Sequence, residues 1–276
     1  MVLPETTSTN RLGLELAEQA GTPAEPDLDG LAIVADYQTA GRGRHGRSWL
    51  SPRGASVLCS VLVVHSEDRP GVTPFLPRPV DPTQPLSSHT GIGGWLTIVS
   101  AVAACEAVRH AAAMTPSIKW PNDLRISGRK LGGVLIESRA LGRIADQEPC
   151  SPGPRAWVIG IGINCLQHPG HFPPDLRDHC TSLEIEATHP IDRVAVAREL
   201  LRRLDGWLAE PTTATHEAVH AAWLSYAEPT GQRVRLQSGG REYGGTTIAV
   251  DPTGGLIVQG DDGRREWFDP MLTTLL

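Results

Sequence analysis

A basic, glycine-rich segment between two strand-like stretches constrains the fold of this chain more than any other feature. It covers residues 36–49 and contains three glycines and three arginines. The stretches on either side, residues 31–37 and 55–64, are apolar and rich in β-branched side chains, so each predicts a strand. Glycine lets a backbone approach a ligand closely, and arginine donates paired hydrogen bonds to carboxylate or phosphate. The segment therefore predicts an anion-binding loop between two strands.

The same glycines also have the spacing of a dinucleotide-binding fingerprint. Gly41, Gly43 and Gly46 fit the pattern GxGxxG. That fingerprint requires a helix directly after the glycines and an acidic residue about 20 residues further on. Here the segment after the glycines predicts a strand instead of a helix. The residue at the position that should be acidic is Val61. A basic surface hairpin without a ligand is the other interpretation of this segment taken alone.

A second polar segment has the chemistry to complete an anion site. Asn122 and Asp123 follow a proline and offer hard oxygen ligands, which suit Mg²⁺ or a water molecule beside a phosphate group. Lys130 precedes a predicted strand, and its compact charge suits a carboxylate or an α-phosphate. A β-hairpin with an ordinary polar turn is the alternative interpretation of this segment when it stands alone.

The other segments predict a mixed α+β fold. Ser8, Thr9 and Asn10 cap a helix that Gly21 ends, and residues 66–91 form a proline-rich surface insertion. Apolar periodicity predicts helices at 94–113, 193–208 and 215–226, strands at 117–120, 131–137 and 156–163, a polar turn at 121–129, and a loop at 140–155.

A boundary at residues 228–231 separates a small second domain. Residues 1–228 form the main domain, and residues 229–276 alternate short strands with glycine turns, which suits a small β-barrel. The predicted strands of this barrel are 233–236, 244–250, 256–259 and 266–268.

Composition excludes several classes of protein. The formal net charge is −6, which gives no general attraction to nucleic acid or to an anionic membrane. The chain opens without a basic segment followed by an apolar core, and we predict no stretch long and apolar enough to span a bilayer. Five cysteines without paired spacing indicate reduced thiols. These features predict a soluble cytoplasmic protein.

Zinc binding is a weaker hypothesis for five clustered residues. They are Cys165, His168, His171, His179 and Cys180. Their spacing matches no standard structural zinc pattern, and the segment between them is rich in proline. We therefore predict no permanent metal site in the protein.

Taken together and in this order, these segments resemble the biotin protein ligase family. The resemblance rests on the arginine loop, on KWPND at 119–123, on KLGG at 130–133 and on GIGIN at 160–164, and it spans nearly the whole chain. It implies a class II synthetase-like biotin/lipoate ligase domain, with a mixed sheet flanked by helices, followed by an SH3-like β-barrel. It also implies ATP-dependent activation of biotin to biotinyl-AMP, and transfer of biotin to a lysine of a biotin carboxyl carrier protein.

The resemblance implies roles for individual residues. The implied biotin-binding residues are Ser8, Thr9, Asn10, Gln38, Gly41, Arg42, Gly43, Arg44, Lys130, Gly160 and Gly162. The implied ATP-binding residues are Arg42, Arg44, Arg47, Lys119, Asn122, Asp123 and Asn164, with Mg²⁺ bound together with ATP near Asn122 and Asp123. The implied catalytic residues are Lys130, Arg44 and Asp123, and Asp123 either orients Mg²⁺ or assists deprotonation of the acceptor lysine.

Two other functions stay open at this point. A lipoate or octanoate ligase or transferase shares the fold, and a non-catalytic biotin sensor is expected to lack Lys130 or the loop arginines, all of which are present. Only seven residues precede Ser8, where regulatory members of the family carry a DNA-binding winged helix. We therefore predict a monofunctional ligase that does not bind DNA. The resemblance also suggests a homodimer.

Overall fold

Seven strands form one mixed sheet within the residues that the computed structural model describes, which are 1–20, 28–65, 92–141, 155–209, 213–251, 255–269 and 272–276. The strands are β1 (Val2–Leu3), β2 (Ala32–Ala35), β3 (Ser56–His65), β4 (Ser117–Lys119), β5 (Asp123–Ile126), β6 (Arg129–Ala140) and β7 (Arg155–Asn164). Their order across the sheet is β1-β2-β3-β7-β6-β5-β4. β1 and β2 are parallel, and the other neighbouring pairs are antiparallel.

Helices pack on both faces of this sheet. They are α1 (Thr9–Ala20), α2 (Ile92–Ala112), the single turn α3 (Leu183–Glu186), α4 (Arg193–Leu208) and α5 (Thr213–Tyr226). Alternation along β3 explains the two layers, because successive side chains of a strand point to opposite faces. Val57, Cys59 and Val61 join the large core with α2, whereas Leu62 and Val64 join a smaller cluster with α1.

The central helix α2 is apolar on all sides because it lies between the sheet and two other helices. It packs against β6 and β7 and, on its other side, against α4 and α5. By length and composition alone α2 would pass as a membrane-spanning helix, contrary to our prediction of no such stretch, with a mean hydropathy of 1.3 over its most apolar window. That window is 83% buried inside the protein, as expected for a core helix.

A second, separate sheet lies at the C-terminal end. Its strands are β8 (Arg233–Ser238), β9 (Arg241–Asp251), β10 (Gly255–Gly260), β11 (Arg265–Phe268) and β12 (Thr273–Leu275). They follow the order β11-β10-β9-β8-β12, and all neighbours are antiparallel. The predicted α+β fold with a small C-terminal β-domain is therefore confirmed, and this sheet is consistent with an SH3-like domain. The domain division at 228/229 stays a prediction.

The predicted polar turn at 121–129 is wrong, because its central residues form the strand β5 (Asp123–Ile126). Leu124 is fully buried between the polar residues Asp123 and Arg125, so the segment has the alternation of a half-buried strand. The true turn after β5 is only two residues long, Ser127 and Gly128, which have positive φ angles of 51° and 74°. Leu124 is the one buried side chain of β5, and the polar residues around it obscured the alternation of the strand in the sequence.

Other predicted elements agree with the structure apart from their ends. The short elements β1, β12 and α3 were not predicted, because two to four residues carry no measurable periodicity. Gly21, the 66–91 insertion and residues 142–154 of the predicted 140–155 loop lie outside the described residues.

Replacing a central leucine of α2 tests this packing. Leu96 is fully buried, so Leu96→Ala should lower the free energy of unfolding by about 2–5 kcal/mol, because it removes apolar contacts and leaves a cavity. Leu224 on α5 is 50% exposed, and the control Leu224→Ala should change that energy by less than about 0.5 kcal/mol. Urea denaturation measures both variants. Equal losses would contradict the central position of α2.

Candidate active site

A cavity of about 300 Å³ opens on the face of the sheet that carries α1. Alternate residues of two strands form its floor, namely Gly133 and Leu135 of β6 and Gly160 and Gly162 of β7. The start of α1, the arginine loop, the β4–β5 connection and the end of β12 form its walls. Residues from both sheets therefore line one cavity.

The charge of the cavity is opposite to that of the chain. Five basic side chains line it, which are Arg42, Arg44, Arg47, Lys119 and Lys130. Asp123 is the only acidic side chain among the described residues of its lining. Because the whole chain has a net charge of −6, this concentration of positive charge is local and suits an anionic ligand.

Neutral polar groups form one end of the cavity, at the start of α1. The backbone N–H and the hydroxyl of Thr9 donate to Gln38 Oε1 over 2.7 and 3.1 Å. Asn10 Nδ2 donates to the backbone oxygen of Leu135 over 3.2 Å, and the Ser60 hydroxyl lies 2.6 Å from Asn10 Oδ1. Ser8, Thr9 and Asn10 are all buried, so these side chains are held in fixed orientations.

Two glycines of β7 give these side chains their space. A Cβ atom on Gly160 would lie 2.1 Å from Asn10 Oδ1, and a Cβ atom on Gly162 would lie 2.7 Å from the Trp49 ring. Neither distance is compatible with a side chain at the glycine position. Asn10 and Trp49 therefore lie directly on the backbone of the central strand, and any larger residue there would displace them.

Lys130 lies at the junction of the polar and cationic parts of the site. Its Nζ atom is 2.6 Å from Asp123 Oδ1 and 5.9 Å from the centre of the Trp49 ring. The β5–β6 hairpin brings the two charged residues together, since Asp123 pairs with Gly133 and Arg125 pairs with Lys130 in its register. Both side chains are about one-third exposed, so they remain accessible to a ligand.

The arginine loop is attached at three places. Arg42 forms an ion pair with Glu137 over 2.8 Å. Arg44 donates to Asn122 Oδ1 over 3.1 Å and to the backbone oxygen of Thr273 in β12 over 3.0 Å. Burial lowers the pKa of the Arg44 guanidinium, although Asp123 opposes this effect. A cation that has lost hydration in this way favours an anion as its ligand.

The tip of the loop also contacts the C-terminal sheet. His45 has a positive φ of 55°, and its Nε2 atom is 2.6 Å from Thr274 Oγ1. Burial, followed by the charges of Arg44 and Arg47, lowers the pKa of His45, which favours the neutral ring. The loop is thus held by residues of both sheets.

A buried amide network forms the opposite end of the cavity. Asn164 Nδ2 donates to the backbone oxygen of Thr181 over 3.0 Å, and Asn164 Oδ1 accepts from Gln167 Nε2 over 2.9 Å. Gln167 Nε2 also donates to the Ser56 hydroxyl over 2.6 Å. Asn164 and Gln167 are almost completely buried, so this end is preorganised.

The structure brings nearly all predicted site residues together. Gly41 is the exception, because it lines a neighbouring open cavity behind the loop. A Cβ atom there would lie 2.4 Å from the backbone oxygen of Trp49, so Gly41 is needed to close the base of the loop. The roles assigned to the individual residues stay predictions.

Several residues of the site were not predicted. Glu137 and Ser60 bond to predicted residues, and Trp49, Gln167, Thr274 and Leu275 line the cavity. Glu137 could have been found, since Gly133, Leu135 and Glu137 alternate along β6 and share one face. No local pattern indicates Thr274 or Leu275, because the packing of the two sheets brings them to the site.

The candidate zinc ligands do not form a metal site in the part of the chain described. No three His, Cys, Asp or Glu side chains gather there in a group that could hold a metal ion. Cys165 is buried, whereas His168 and His171 lie with their rings 5.3 Å apart.

The reactivity of the described cysteines follows from burial. Burial raises the pKa of Cys59 and of Cys165 to about 12, and it also raises the pKa of Cys180, which is only partly buried. The thiolate is the reactive form, so alkylation by iodoacetamide should be slow and should reach Cys180 first. The rate of alkylation of Cys180 should rise about tenfold per pH unit up to pH 9. Peptide mass spectrometry of the native protein measures this, and faster labelling of Cys59 than of Cys180 would contradict it.

Comparison with known proteins identifies the family. Residues 3–150 match the biotin/lipoate A/B protein ligase family, and residues 230–269 match the biotin protein ligase C-terminal domain. The bifunctional ligase/repressor BirA of Bacillus subtilis (strain 168) is 31% identical over 262 residues, which cover 95% of this chain and 70% of that protein. The biotin–[acetyl-CoA-carboxylase] ligase of Mycobacterium tuberculosis (strain ATCC 25618 / H37Rv) is 31% identical over 268 residues, which cover 96% and 84%.

A solved structure agrees with these matches over the full length of the chain. It is the biotin protein ligase from Aquifex aeolicus in complex with biotin and ATP, which has a TM-score of 0.68 and 25% sequence identity and covers 100% of this chain and 97% of that chain. The chain therefore belongs to the biotin/lipoate A/B protein ligase family.

Proposed function

We propose that this chain activates biotin with ATP to form biotinyl-AMP and transfers the biotin to a lysine of a carrier protein. The observation that carries this proposal is the division of a single cavity into a neutral hydrogen-bonding end and a strongly cationic middle. Biotin has the matching division, since its ureido ring is neutral and its carboxylate is charged. The relatives named above are biotin ligases, which supports the same activity.

The neutral end binds the ureido ring. Ser8, Thr9, Asn10 and Gln38 present donors and acceptors that are already oriented by bonds within the protein. A buried ligand ring needs a partner for each polar atom, because an unsatisfied buried donor or acceptor costs about 1–3 kcal/mol. Gly160 and Gly162 let Asn10 and Trp49 lie against the backbone of β7, beside the place of the ring. This end therefore provides recognition rather than chemistry.

The cationic middle acts on the reacting groups. A carboxylate oxygen of biotin attacks the α-phosphorus of ATP and forms an oxygen–phosphorus bond. Pyrophosphate leaves with the electron pair of the broken bond between the α-phosphorus and the bridging oxygen. Two anions must approach each other, so Lys130 and the arginines Arg42, Arg44 and Arg47 act by neutralising charge and holding the two groups in position. Lys119 and Asn164 contribute to the nucleotide side of the cavity.

Mg²⁺ accompanying ATP fits one of the two predicted residues better than the other. Asn122 Oδ1 accepts from Arg44, and Asn122 Nδ2 donates over 2.8 Å to Val134, so this side chain holds the loop. Asp123 has a carboxylate in the cavity wall, and Mg²⁺ usually takes one or two carboxylates together with phosphate oxygens and water. We infer that Asp123 would hold the ion, which when bound would neutralise phosphate charge.

The second half-reaction uses the same site. The amine of the carrier lysine attacks the carbonyl of the mixed anhydride, an amide bond forms, and AMP leaves. The anhydride reacts readily with water, so a loop attached to both sheets has the further role of excluding solvent. Among the described residues of the cavity lining, Asp123 is the acidic group that could accept the proton of the attacking amine. Holding Mg²⁺ and accepting this proton are alternative roles for Asp123.

The partners follow from the relatives and from the charge of the chain. The name of the M. tuberculosis relative points to acetyl-CoA carboxylase, so we propose the biotin carboxyl carrier domain of such a carboxylase as the acceptor. The net charge of −6 supports the prediction that the chain does not bind DNA. Homodimer formation, a cytoplasmic location and the domain boundary at 228/229 stay predictions as well.

The direct test is labelling of a purified carrier domain with biotin in the presence and absence of ATP. We expect labelling that requires both substrates, and we expect no transfer when lipoate or octanoate replaces biotin. Lys119 and Lys130 are the only lysines of this chain and both line the cavity, so carrier labelling is easily separated from self-labelling. Transfer of lipoate or octanoate would favour the other activities known for this fold, and binding of biotin without any transfer would favour a sensor.

Removing the central lysine should stop the first half-reaction. Lys130→Ala should reduce biotin-dependent ATP–pyrophosphate exchange by about 100-fold or more, because it deletes a cation placed beside the reacting groups. Arg233 is paired with Asp261 at an exposed position in the second sheet, so Arg233→Ala should leave the exchange rate unchanged. A near-normal exchange rate in Lys130→Ala would refute the role of Lys130.

A methyl group on the central strand should weaken biotin binding. In Gly160→Ala the new Cβ atom would occupy the place of Asn10 Oδ1, so Asn10 must move and the KM for biotin should rise about tenfold. A methyl group on Gly206 in α4 would meet no atom within 4 Å, so Gly206→Ala is the control. Steady-state kinetics with each substrate varied in turn measures the effect. An unchanged KM for biotin would show that Asn10 does not contact biotin.

A further inference from the structure

Glu137 bonds to two residues of the site through separate oxygens. Its Oε1 atom lies 2.8 Å from Arg42 Nη2, and its Oε2 atom accepts a hydrogen bond from Asn10 Nδ2 over 3.0 Å. The Glu137 side chain is 17% exposed and does not line the cavity. It therefore lies behind the site and connects the neutral end with the arginine loop.

The contact with Asn10 decides what this amide offers to a ligand. A primary amide has two N–H donors and one oxygen acceptor. Both donors of Asn10 are directed at β6, one to Glu137 and the other to the backbone oxygen of Leu135. The oxygen faces Ser60 and the backbone of Gly160. Asn10 is thus presented to the cavity as an acceptor, which selects a ligand with an N–H group.

The contact with Arg42 attaches the loop to the same strand. Arginine has five N–H donors, so an ion pair with one carboxylate oxygen leaves other donors for an anionic ligand. Arg42 lies where the loop begins, and its side chain is 48% exposed. The carboxylate of Glu137 therefore holds this half-exposed cation beside Asn10 and the neutral end of the cavity.

We propose that Glu137 is a positioning residue that presents Asn10 as an acceptor for a ureido N–H and anchors the arginine loop through Arg42. This inference rests on the proposed function. Glu137 acts through its two neighbours, since it does not itself touch the ligand. Its loss should weaken the binding of biotin and the retention of biotinyl-AMP, and it should have little effect on the binding of ATP.

The test compares Glu137→Gln with a matched control. The amide that replaces the carboxylate has one oxygen instead of two, so it places an N–H group against a donor of either Arg42 or Asn10. Glu199 on α4 has a similar exposure of 18% and an ion pair of 2.7 Å with Arg203, but it lies outside the cavity lining. Glu199→Gln therefore removes an equivalent carboxylate without touching the site.

We expect a split between the two substrates. In Glu137→Gln the KM for biotin should rise about tenfold and the half-life of the enzyme–biotinyl-AMP complex should shorten by a similar factor, whereas the KM for ATP and kcat should change less than twofold. Glu199→Gln should change none of these values. Equal increases of both KM values, or no change in either, would overturn the proposal.

A double variant separates the two contacts of Glu137. With Arg42→Ala already present, Glu137→Gln should shorten the half-life of the complex by a smaller factor than it does alone, but should still raise the KM for biotin, because only the Asn10 contact remains. If Glu137→Gln does not fold, Glu137→Asp, which keeps the charge but is one methylene shorter, should show the same split in smaller measure.

A parent enzyme without biotin-dependent ATP–pyrophosphate exchange would refute the proposed function, whereas a normal parent with an indistinguishable variant would refute only the role of Glu137.

Discussion

The missing side chains of Gly160 and Gly162 set the geometry of the whole site. Asn10 and Trp49 occupy the space where Cβ atoms would be, at distances of 2.1 and 2.7 Å. Because these glycines lie on the central strand β7, the space opens at the middle of the sheet, where the strands on both sides are already paired. The floor of the cavity is therefore paired backbone, and Asn10 and Trp49 are packed against it.

Electrostatics determines what enters this space. The chain has a net charge of −6, but five lysine and arginine side chains line this one cavity. Among the described residues of the lining, Asp123 is the only carboxylate that opposes their charge. The bonds of Arg44 to Asn122 and to Thr273 hold the loop between the two sheets. The second sheet thus completes the wall of the site. It supports the arginine loop, whose residues bind the anion.

Prediction from the sequence succeeded where a pattern is long or chemically distinctive. The helix over α2 and the strands β3 and β7 follow from apolar periodicity, and KWPND, KLGG and the arginine loop indicate the chemistry of the site. Prediction failed at β5, where the single buried residue Leu124 outweighs its polar neighbours. It also missed Glu137, although the residue lies in the predicted strand 131–137, because its two partners come from distant parts of the chain.

The sequence alone was enough to indicate the family, the order of the main elements and the types of residue available for binding an anion, because these depend on local pattern and on composition. Which of those residues meet depends on the tertiary structure. Asn10, Glu137 and Gly160 belong to three different elements, and the contact of Arg44 with Thr273 joins residues 229 positions apart. Hydrogen-bond partners and steric limits of this kind arise between strands and between sheets, and no spacing along the chain encodes them.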